Sequence, residues 1–473
     1  MIPMTLTEIA RVLDARLDGV PDPEALVTGP SAVDSREVAA GGLFAATVGA
    51  HVDGHDYAAK AVADGAVAVL ATRPVGVPAI VVDDVQTALG VLARHVLARL
   101  DCTVIALTGS VGKTTTKDLL AQILEQYAPT ISTDRSFNNE LGLPLTVLRA
   151  DGGTRYLVLE MGAGRKGDLT YLTGIAPPQV GLVLNVGAAH VSRMGGGLAD
   201  VAEAKGELVE ALTPDGYALL NADDPYVVSM TKRTKATVVL YGRSPDASVR
   251  AEEVSLGDGA RPAFDLVTPS GRARVALDLI GEHQVANALG AAAVAAALRL
   301  PTDEIAAGLN VARRRSSGRF EITERPDGVT VINDAYNANP ESMRAGLNAF
   351  RALADDRRTV AVLGAMGQQG DASLARHEQV GRLVAELGID VLIAVGDGDP
   401  QAMAREAAGA EVAVHTAEDV AGAIKVATGL ITPGDVVFVK ASSEYGLGAC
   451  ARELALAAPA PTPTDVTRVP HDA

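Results

Sequence analysis

The segment Thr108-Gly109-Ser110-Val111-Gly112-Lys113-Thr114-Thr115-Thr116 constrains this chain more than any other. It follows the apolar run Thr103–Leu107, which reads as a buried strand, and precedes a helical pattern from about Thr114 to Gln126. Glycines at such a junction let the backbone curl until its amides face an anion, and the helix N-terminus adds positive partial charge. A lysine at 113 would reach the β- and γ-phosphates of a nucleotide, and the Thr114 hydroxyl would hold Mg²⁺. The general expression for these loops places glycine at position 107, where this chain has Leu107, so a shorter T-G-x-x-G-K-T-T form remains. The bland alternative is a glycine-rich turn with a solvated lysine. The strand–helix junction favours a phosphate loop.

The chain is 473 residues long, which predicts about three domains rather than one core. Aromatics are 3% with no Trp, so Ala, Val, Leu and Ile must build the cores. A net charge of −17 argues against a nucleic-acid binder yet allows a local positive pocket. Two cysteines, Cys102 and Cys450, cannot make a disulfide framework and fit a reducing compartment. Near the N-terminus, Thr5 and Glu8 have capping-box spacing, and Leu6, Ile9, Val12, Leu13 and Leu17 follow at helical spacing. That is an amphipathic helix, not an export signal. The most apolar later stretch, Val285–Leu300, is shorter than a typical membrane span and reads as a buried helix. The expectation is a soluble, cytoplasmic chain with no membrane partner.

Three blocks emerge. Residues 1–101 alternate short apolar runs with Gly and Asp turns and end in a helical pattern, Gln86–Leu100. Residues 102–318 carry the phosphate loop and apolar runs at Tyr156–Leu159, Val180–Leu184 and Thr237–Leu240, read as strands of one sheet. Residues 319–457 alternate strands at Val329–Ile332, Thr359–Leu363, Val391–Val395 and Val436–Val439 with helices starting near Pro340, Ala375, Gln401 and Ala417. The fold class is therefore α/β, with largely parallel sheets covered on both faces. The Pro-rich tail 458–473 reads as disordered.

Some polar residues stand out before any family is considered. Glu160 closes a predicted buried strand, where a carboxylate either caps a helix or binds a cation. His190 follows the next strand, and strand C-termini of a parallel sheet share one rim. Lys205 lies among Glu203, Glu207 and Glu210, the pattern of a solvated salt-bridging helix face. Asn287 lies four residues after His283 on a buried helix and needs partners. Asn337-Ala338-Asn339-Pro340 can be a surface Asx-turn. The cluster His51, Asp53, His55 and Asp56 invites a zinc reading, but adjacent spacing gives poor tetrahedral geometry.

From the shortened loop to about residue 455 the chain resembles the Mur ligase and folylpolyglutamate synthase superfamily, in the MurF-type branch of the Mur ligases. The likeness is carried by the loop itself, by Ser136-Phe137-Asn138-Asn139-Glu140-Leu141-Gly142-Leu143-Pro144 and by Leu159-Glu160-Met161-Gly162. It continues in Asn185-Val186-Gly187-Ala188-Ala189-His190, Ala204-Lys205-Gly206-Glu207 and Gly281-Glu282-His283-Gln284-Val285-Ala286-Asn287. Asn333-Asp334-Ala335-Tyr336-Asn337-Ala338-Asn339-Pro340 completes it. The resemblance implies three domains: an N-terminal UDP-substrate-binding α/β domain, a central P-loop ATPase-like domain and a C-terminal Rossmann-like domain.

It also implies roles. Thr108 to Thr115, Asn287 on the adenine, Arg319 on the γ-phosphate, Asp334 on the ribose and Tyr336 would bind ATP. Thr114, Glu160, His190 and a carbamylated Lys205 would hold two Mg²⁺ ions. Lys113, Glu160, His190, Lys205 and Arg319 would carry catalysis. Asp34, Ser35, Arg36, Asp53 and His55 would meet the uridine-diphosphate end of the substrate, Asn138 and Asn139 would also meet substrate, and Asn337 and Asn339 would lie toward the nucleotide and acceptor site. The implied reaction is ATP-dependent joining of D-alanyl-D-alanine to UDP-N-acetylmuramoyl-tripeptide through an acyl phosphate, by a monomer whose third domain closes over ATP. Family members usually carry Met-x-Glu-Leu-Gly where this chain has Met366-Gly367-Gln368-Gln369-Gly370, and Lys-Gly/Ala-Ser-Arg where it has Lys440-Ala441-Ser442-Ser443. A following Glu is Gly448, and an expected Phe-Gly pair after His190 is Met194-Gly195. Those departures leave open a different amine acceptor or a second copy in a specialised pathway; a folate-lengthening ligase is disfavoured by Asp34-Ser35-Arg36, and a silent ATP-binding regulator by intact Lys113, Glu160, His190, Lys205 and Asp334.

Overall fold

A computed structural model describes residues 1–49 and 52–457. His51 of the zinc reading and the 458–473 tail lie outside the described residues. The chain divides into two compact units: Met1–Ser255 with Pro262–Leu279 and His283–Ser316, and Leu256–Arg261 with Ile280–Glu282 and the chain from Ser317.

The first unit holds two large sheets. The N-terminal one has five short strands in the order Arg16–Asp18, Ala79–Val81, Ala68–Ala71, Leu43–Ala45 and Ser31–Ala32. Thr5 caps the first helix by accepting from the Glu8 amide at 3.1 Å, as the spacing predicts. That helix ends at Val12, however, and Asp14 takes a left-handed φ of 49°. Leu17, expected on the helix, therefore sits in a strand paired with Ile80. Sheet pairing outweighs helical spacing that only one further residue supports.

The second sheet has nine strands: β1 (Thr103–Thr108), β2 (Thr130–Ser132), β3 (Tyr156–Glu160), β4 (Val180–Val183), β5 (Tyr217–Asn221), β6 (Thr237–Gly242), β7 (Val249–Leu256), β8 (Pro262–Thr268) and β9 (Gly271–Ala276). Their order is β9-β8-β7-β6-β5-β4-β1-β3-β2. β1 pairs in parallel with β3 on one side and β4 on the other, so the strand order reverses at β1. Such a reversal opens a crevice at the strand C-termini. Leu107 is level with Glu160, and Thr108 with Val183, so three chain segments end together at that rim. Helices α1 (Lys113–Leu124), α2 (Leu198–Glu210) and α3 (Gln284–Ala297) belong to this unit. The apolar run from Val285 is the buried α3, whose Leu, Val and Ala residues pack with Ile105, Leu107 and Leu182. The antiparallel hairpin β8–β9 escaped the reading because polar residues interrupt it: Phe264 and Leu266 are buried while Asp265 between them pairs with Arg272 and Arg274.

The second unit carries a six-stranded sheet of β10 (Glu321–Glu324), β11 (Thr330–Asn333), β12 (Thr359–Leu363), β13 (Val391–Val395), β14 (Ala413–Ala417) and β15 (Val436–Lys440), ordered β10-β11-β15-β12-β13-β14. The four expected strands are its centre, all mutually parallel where paired. Both edges were missed. β10 is antiparallel to β11, and β14 occupies the place where a helix was expected to start near Ala417, that helix beginning instead at Val420. Edge strands are half-solvated and lack the continuous apolar run of a central parallel strand. Helix α4 (Pro340–Ala354) lays Phe350 on Phe438, ring centroids 5.2 Å apart.

Candidate active site

The phosphate loop leaves β1 at Thr108, which is fully buried with its hydroxyl unpaired among the described residues. Its curl is held by a side chain the sequence reading left out of the site. Asn185, two residues beyond β4, turns its Oδ1 to accept from the Ser110 and Val111 amides at 3.0 and 2.9 Å, while its Nδ2 donates to the Val111 carbonyl at 3.1 Å. Ser110 Oγ in turn donates to the Gly187 carbonyl and accepts from the Gly187 amide, at 3.1 and 2.8 Å. The signal was present: Asn185 directly follows a strand at the same rim as the loop. Gly112 has φ +83° at the helix cap, and a Cβ there would lie 2.2 Å from Asn287 Oδ1, so only glycine fits. Asn287, expected on the adenine, lies beside Gly112 of the loop and donates to Gln284 Oε1 at 2.7 Å. Lys113 Nζ donates to the Gly109 carbonyl at 2.7 Å, folding over the loop. Removing the Asn185 side-chain amide (N185A) strips the Val111 amide and carbonyl of this partner, about 1–3 kcal/mol, while the Ser110 amide keeps its 3.1 Å bond to the Asn185 backbone carbonyl. We expect the ATP KM to rise about tenfold. An unchanged KM would show that the loop holds its shape without this amide.

Glu160 is 1% exposed at the end of β3. Its amide donates to Thr133 Oγ1 at 3.0 Å, and its Oε1 accepts from Asn138 Nδ2 at 2.7 Å. Its Oε2 is buried with no hydrogen-bond donor among the described residues. A carboxylate so placed fits a cation and not a helix cap. Thr114 Oγ1 lies 3.1 Å from Ser136 Oγ on the same loop that carries Asn138. Asn139, read as a substrate residue, is exposed and uses Oδ1 to accept from the Gly142 amide at 2.9 Å.

Lys205 departs from the solvated reading of its helix. The neighbouring carboxylates look outward: Glu203 pairs with Lys166 at 2.6 Å, Glu210 with Arg233 at 2.8 Å, and Glu207 accepts from the Gly167 and Thr170 amides. Lys205 is 2% exposed. Burial, and then the positive charge of Lys113, hold its ammonium well below the usual lysine range. His190 is half-buried with a left-handed φ of 57°, at the N-terminus of the short helix after β4. Hydroxyl and carboxylate oxygens suit Mg²⁺, and the orphaned Glu160 oxygen is where this chain fits it. Among the described residues no set of three or more His, Cys, Asp or Glu side chains is arranged for a metal.

In the N-terminal sheet, Asp34 caps the turn Ser35–Glu37 and grips Arg36, which holds its carboxyl down to about 2. Ser35 is buried there, whereas the Arg36 side chain is 81% exposed. His55 is buried between Asp53 Oδ1, 2.6 Å from Nδ1, and the Thr72 amide, which donates to Nε2 at 3.1 Å. Both ring nitrogens are thus engaged, which leaves His55 no lone pair for zinc. Arg73 Nη2 completes the group by donating to Asp53 at 2.9 Å.

In the second unit, Asp334 ends β11 and receives the Phe320 amide at 3.0 Å and Lys440 Nζ at 2.6 Å. Lys440, quoted in the sequence only as a family motif, is 2% exposed and also donates to the Asn337 carbonyl at 3.0 Å. Arg319 lies over the Tyr336 ring, 4.2 Å from its centroid. Asn337 accepts from the Ala338 amide at 2.9 Å, and Asn339 caps α4, accepting from the Ser342 amide at 2.8 Å. Ser442 Oγ joins two loops by accepting from Gly367 N at 2.8 Å and donating to the Ala338 carbonyl at 3.2 Å. Gln368 has a left-handed φ of 58°, Ser443 opens an exposed turn and Gly448 starts the last helix.

His377, missed by the reading, anchors that altered loop. It is fully buried, accepts from the Met366 amide at 3.0 Å and donates to the Ser373 carbonyl at 2.8 Å. Burial pushes its pKa below the ordinary value. The unfolded chain therefore binds more protons below about pH 6.5, so this stability is complete above that pH and lost as pH falls. Between pH 7.5 and 5, amide exchange of Met366–Ser373 should quicken in the wild type, with a smaller pH effect in H377Q. Equal pH dependence in both would remove His377 from the account.

Residues 107–295 match the Mur ligase middle domain, 318–443 the Mur ligase glutamate ligase domain, and 32–97 the Mur ligase family catalytic domain. The chain is 43% identical over 500 residues to the UDP-N-acetylmuramoyl-tripeptide–D-alanyl-D-alanine ligase of Mycobacterium tuberculosis (strain ATCC 25618 / H37Rv), covering 96% of this chain and 98% of that one. A crystal structure of MurF from Acinetobacter baumannii aligns with a TM-score of 0.82 at 32% identity, over 96% of this chain and 99% of the other. The MurF ligase of Thermotoga maritima in complex with ADP aligns with a TM-score of 0.76 at 28% identity, over 91% and 98%.

Proposed function

The chain belongs to the Mur ligase family, and on that premise we propose how its residues perform the family's ATP-dependent joining of a carboxylate to an amine. It is a ligase that adds D-alanyl-D-alanine to UDP-N-acetylmuramoyl-tripeptide in peptidoglycan synthesis. The observation that carries the assignment of residues is the buried Glu160, with one oxygen unpaired, level with the strand that runs into the phosphate loop.

The tripeptide carboxylate attacks the γ-phosphorus, ADP departs and an acyl phosphate forms. The dipeptide amine then attacks the acyl carbon, loses a proton and displaces phosphate. The protein supplies positioning and charge rather than covalent chemistry. Lys113 and the amides at the start of α1 take the β- and γ-phosphates, and Arg319 takes the γ-phosphate with its planar fork. Thr114 and Glu160 would hold Mg²⁺, which neutralises phosphate charge. His190 and Lys205 would serve a second ion, Lys205 as a carbamate. Its burial beside Lys113 favours the neutral amine that carbamylation requires. Asp334 is assigned to the ribose, with Asn287 and Tyr336 completing the nucleotide set. Asp34, Ser35, Arg36, Asp53 and His55 are assigned to the uridine diphosphate, and Asn138, Asn139, Asn337 and Asn339 to the acceptor side. The division into domains 1–101, 102–318 and 319–457, a monomer and a cytoplasmic location belong to the same proposal. No described helix is long and apolar enough to cross a membrane.

Phosphate release from Mg-ATP, measured with UDP-muramoyl tripeptide and a panel of amines, tests this. Release that needs both tripeptide and D-alanyl-D-alanine is expected. Release with a different amine would trace to Gln368, Ser443 and Gly448, and release without tripeptide would overturn the substrate assignment.

A further inference from the structure

Lys117 has no part in the scheme above, yet it is 2% exposed in the second turn of α1. A buried ammonium must be satisfied, and this one is. Its Nζ donates to the Thr133 carbonyl at 2.6 Å and the Arg135 carbonyl at 3.3 Å, and pairs with Asp118 Oδ1 at 2.8 Å. Asp118 is itself anchored, its Oδ2 accepting from the Ser316 hydroxyl at 2.7 Å. Two of the three Lys117 contacts are therefore to the backbone of one short loop, residues 133–138.

Three side chains of that loop go to assigned cation ligands. Thr133 Oγ1 receives the Glu160 amide at 3.0 Å, Asn138 Nδ2 donates to Glu160 Oε1 at 2.7 Å, and Ser136 Oγ meets Thr114 Oγ1 at 3.1 Å. Glu160 and Thr114 sit on different elements, β3 and α1, and the loop is what joins them. We propose that Lys117 is a positioning residue that clamps loop 133–138 so that Glu160 and Thr114 are presented together to a divalent cation. This rests on the cation reading of Glu160. A neutral stem of similar length would fill the space but release both carbonyls, letting the loop drift by the few tenths of an ångström that oxygen ligation of Mg²⁺ does not tolerate.

The test is direct binding of Mn²⁺, by loss of the free-ion electron paramagnetic resonance signal, to full-length protein with ADP. Wild type, K117M, E160Q and T173V are compared. Thr173 is a buried hydroxyl bonded within its own helix and serves as a control for generic loss of a buried polar group. Weakening of Mn²⁺ binding by tenfold or more in K117M and E160Q, with T173V unchanged, is expected. Should K117M not fold, K117Q keeps a donor for the Thr133 carbonyl and is read for an intermediate weakening. E160Q weakened but the folded Lys117 variant unchanged would overturn the clamp and leave the cation reading standing. E160Q unchanged would overturn the cation reading and the clamp with it. Equal weakening in T173V would show a nonspecific structural effect and overturn the clamp.

Discussion

Replacing Lys113 by alanine (K113A) is expected to lower the rate of ATP-dependent ligation by about 10²–10³-fold, or about 2.7–4 kcal/mol, the usual loss when one preorganised donor to a developing charge is removed. The position is the first residue of α1, and its side chain donates to the Gly109 carbonyl four residues earlier. The side chain is only half-buried, so melting should move far less than activity. K113R should not restore full activity, because a planar fork does not replace a compact ammonium among phosphate oxygens. The same substitution removes a positive charge that holds the Lys205 ammonium down. Activity within threefold of wild type would dismiss the loop as the ATP site.

Glu160→Gln should give an opposite pair of effects, which makes it diagnostic. The change keeps shape, and the new side-chain amide can still accept from Asn138 through its carbonyl oxygen, but the negative charge is gone. Ligation should fall by about 10²-fold or more, as for loss of one charge-stabilising group, and the magnesium concentration required should rise. In the absence of metal the variant should be more stable than wild type by about 1–3 kcal/mol, because a buried carboxylate oxygen without a donor carries a desolvation cost that an amide carries less of. Denaturant unfolding followed without magnesium, beside a magnesium-dependent activity series, reads both signs. If stability and activity fall together, Glu160 is a structural residue and the cation reading fails.

How much of this was legible follows from the range over which each feature is encoded. The phosphate loop, the Thr5 cap, the four central strands of the second unit and the buried α3 depend on residues a few positions apart, where periodicity and turn chemistry act. Leu17, the β8–β9 hairpin and the edge strands β10 and β14 were misread or missed, because pairing with a distant strand decides them. The site divides the same way. Glu160 stood out as a polar residue closing an apolar run, and His190 as one that follows the next strand and a Gly turn. Asn185 was quoted but given no work, and Lys117 and His377 were not noticed at all.

The sequence by itself pointed to a phosphate loop between a strand and a helix of a parallel sheet, with Glu160 closing one strand and His190 in the turn beyond the next. Only the tertiary structure decided what those groups touch. Asn138 reaches Glu160 across 22 residues, Asn185 reaches Val111 across 74, and Lys440 reaches Asp334 across 106. Lys205 shows the difference most plainly. Its neighbours in the chain are three glutamates that predict a solvated ion pair, whereas in space it is buried and feels the charge of Lys113. A helix turns each residue about 100° from the next, so adjacent side chains face different media, and the medium, not the neighbour in sequence, sets the state of a charge.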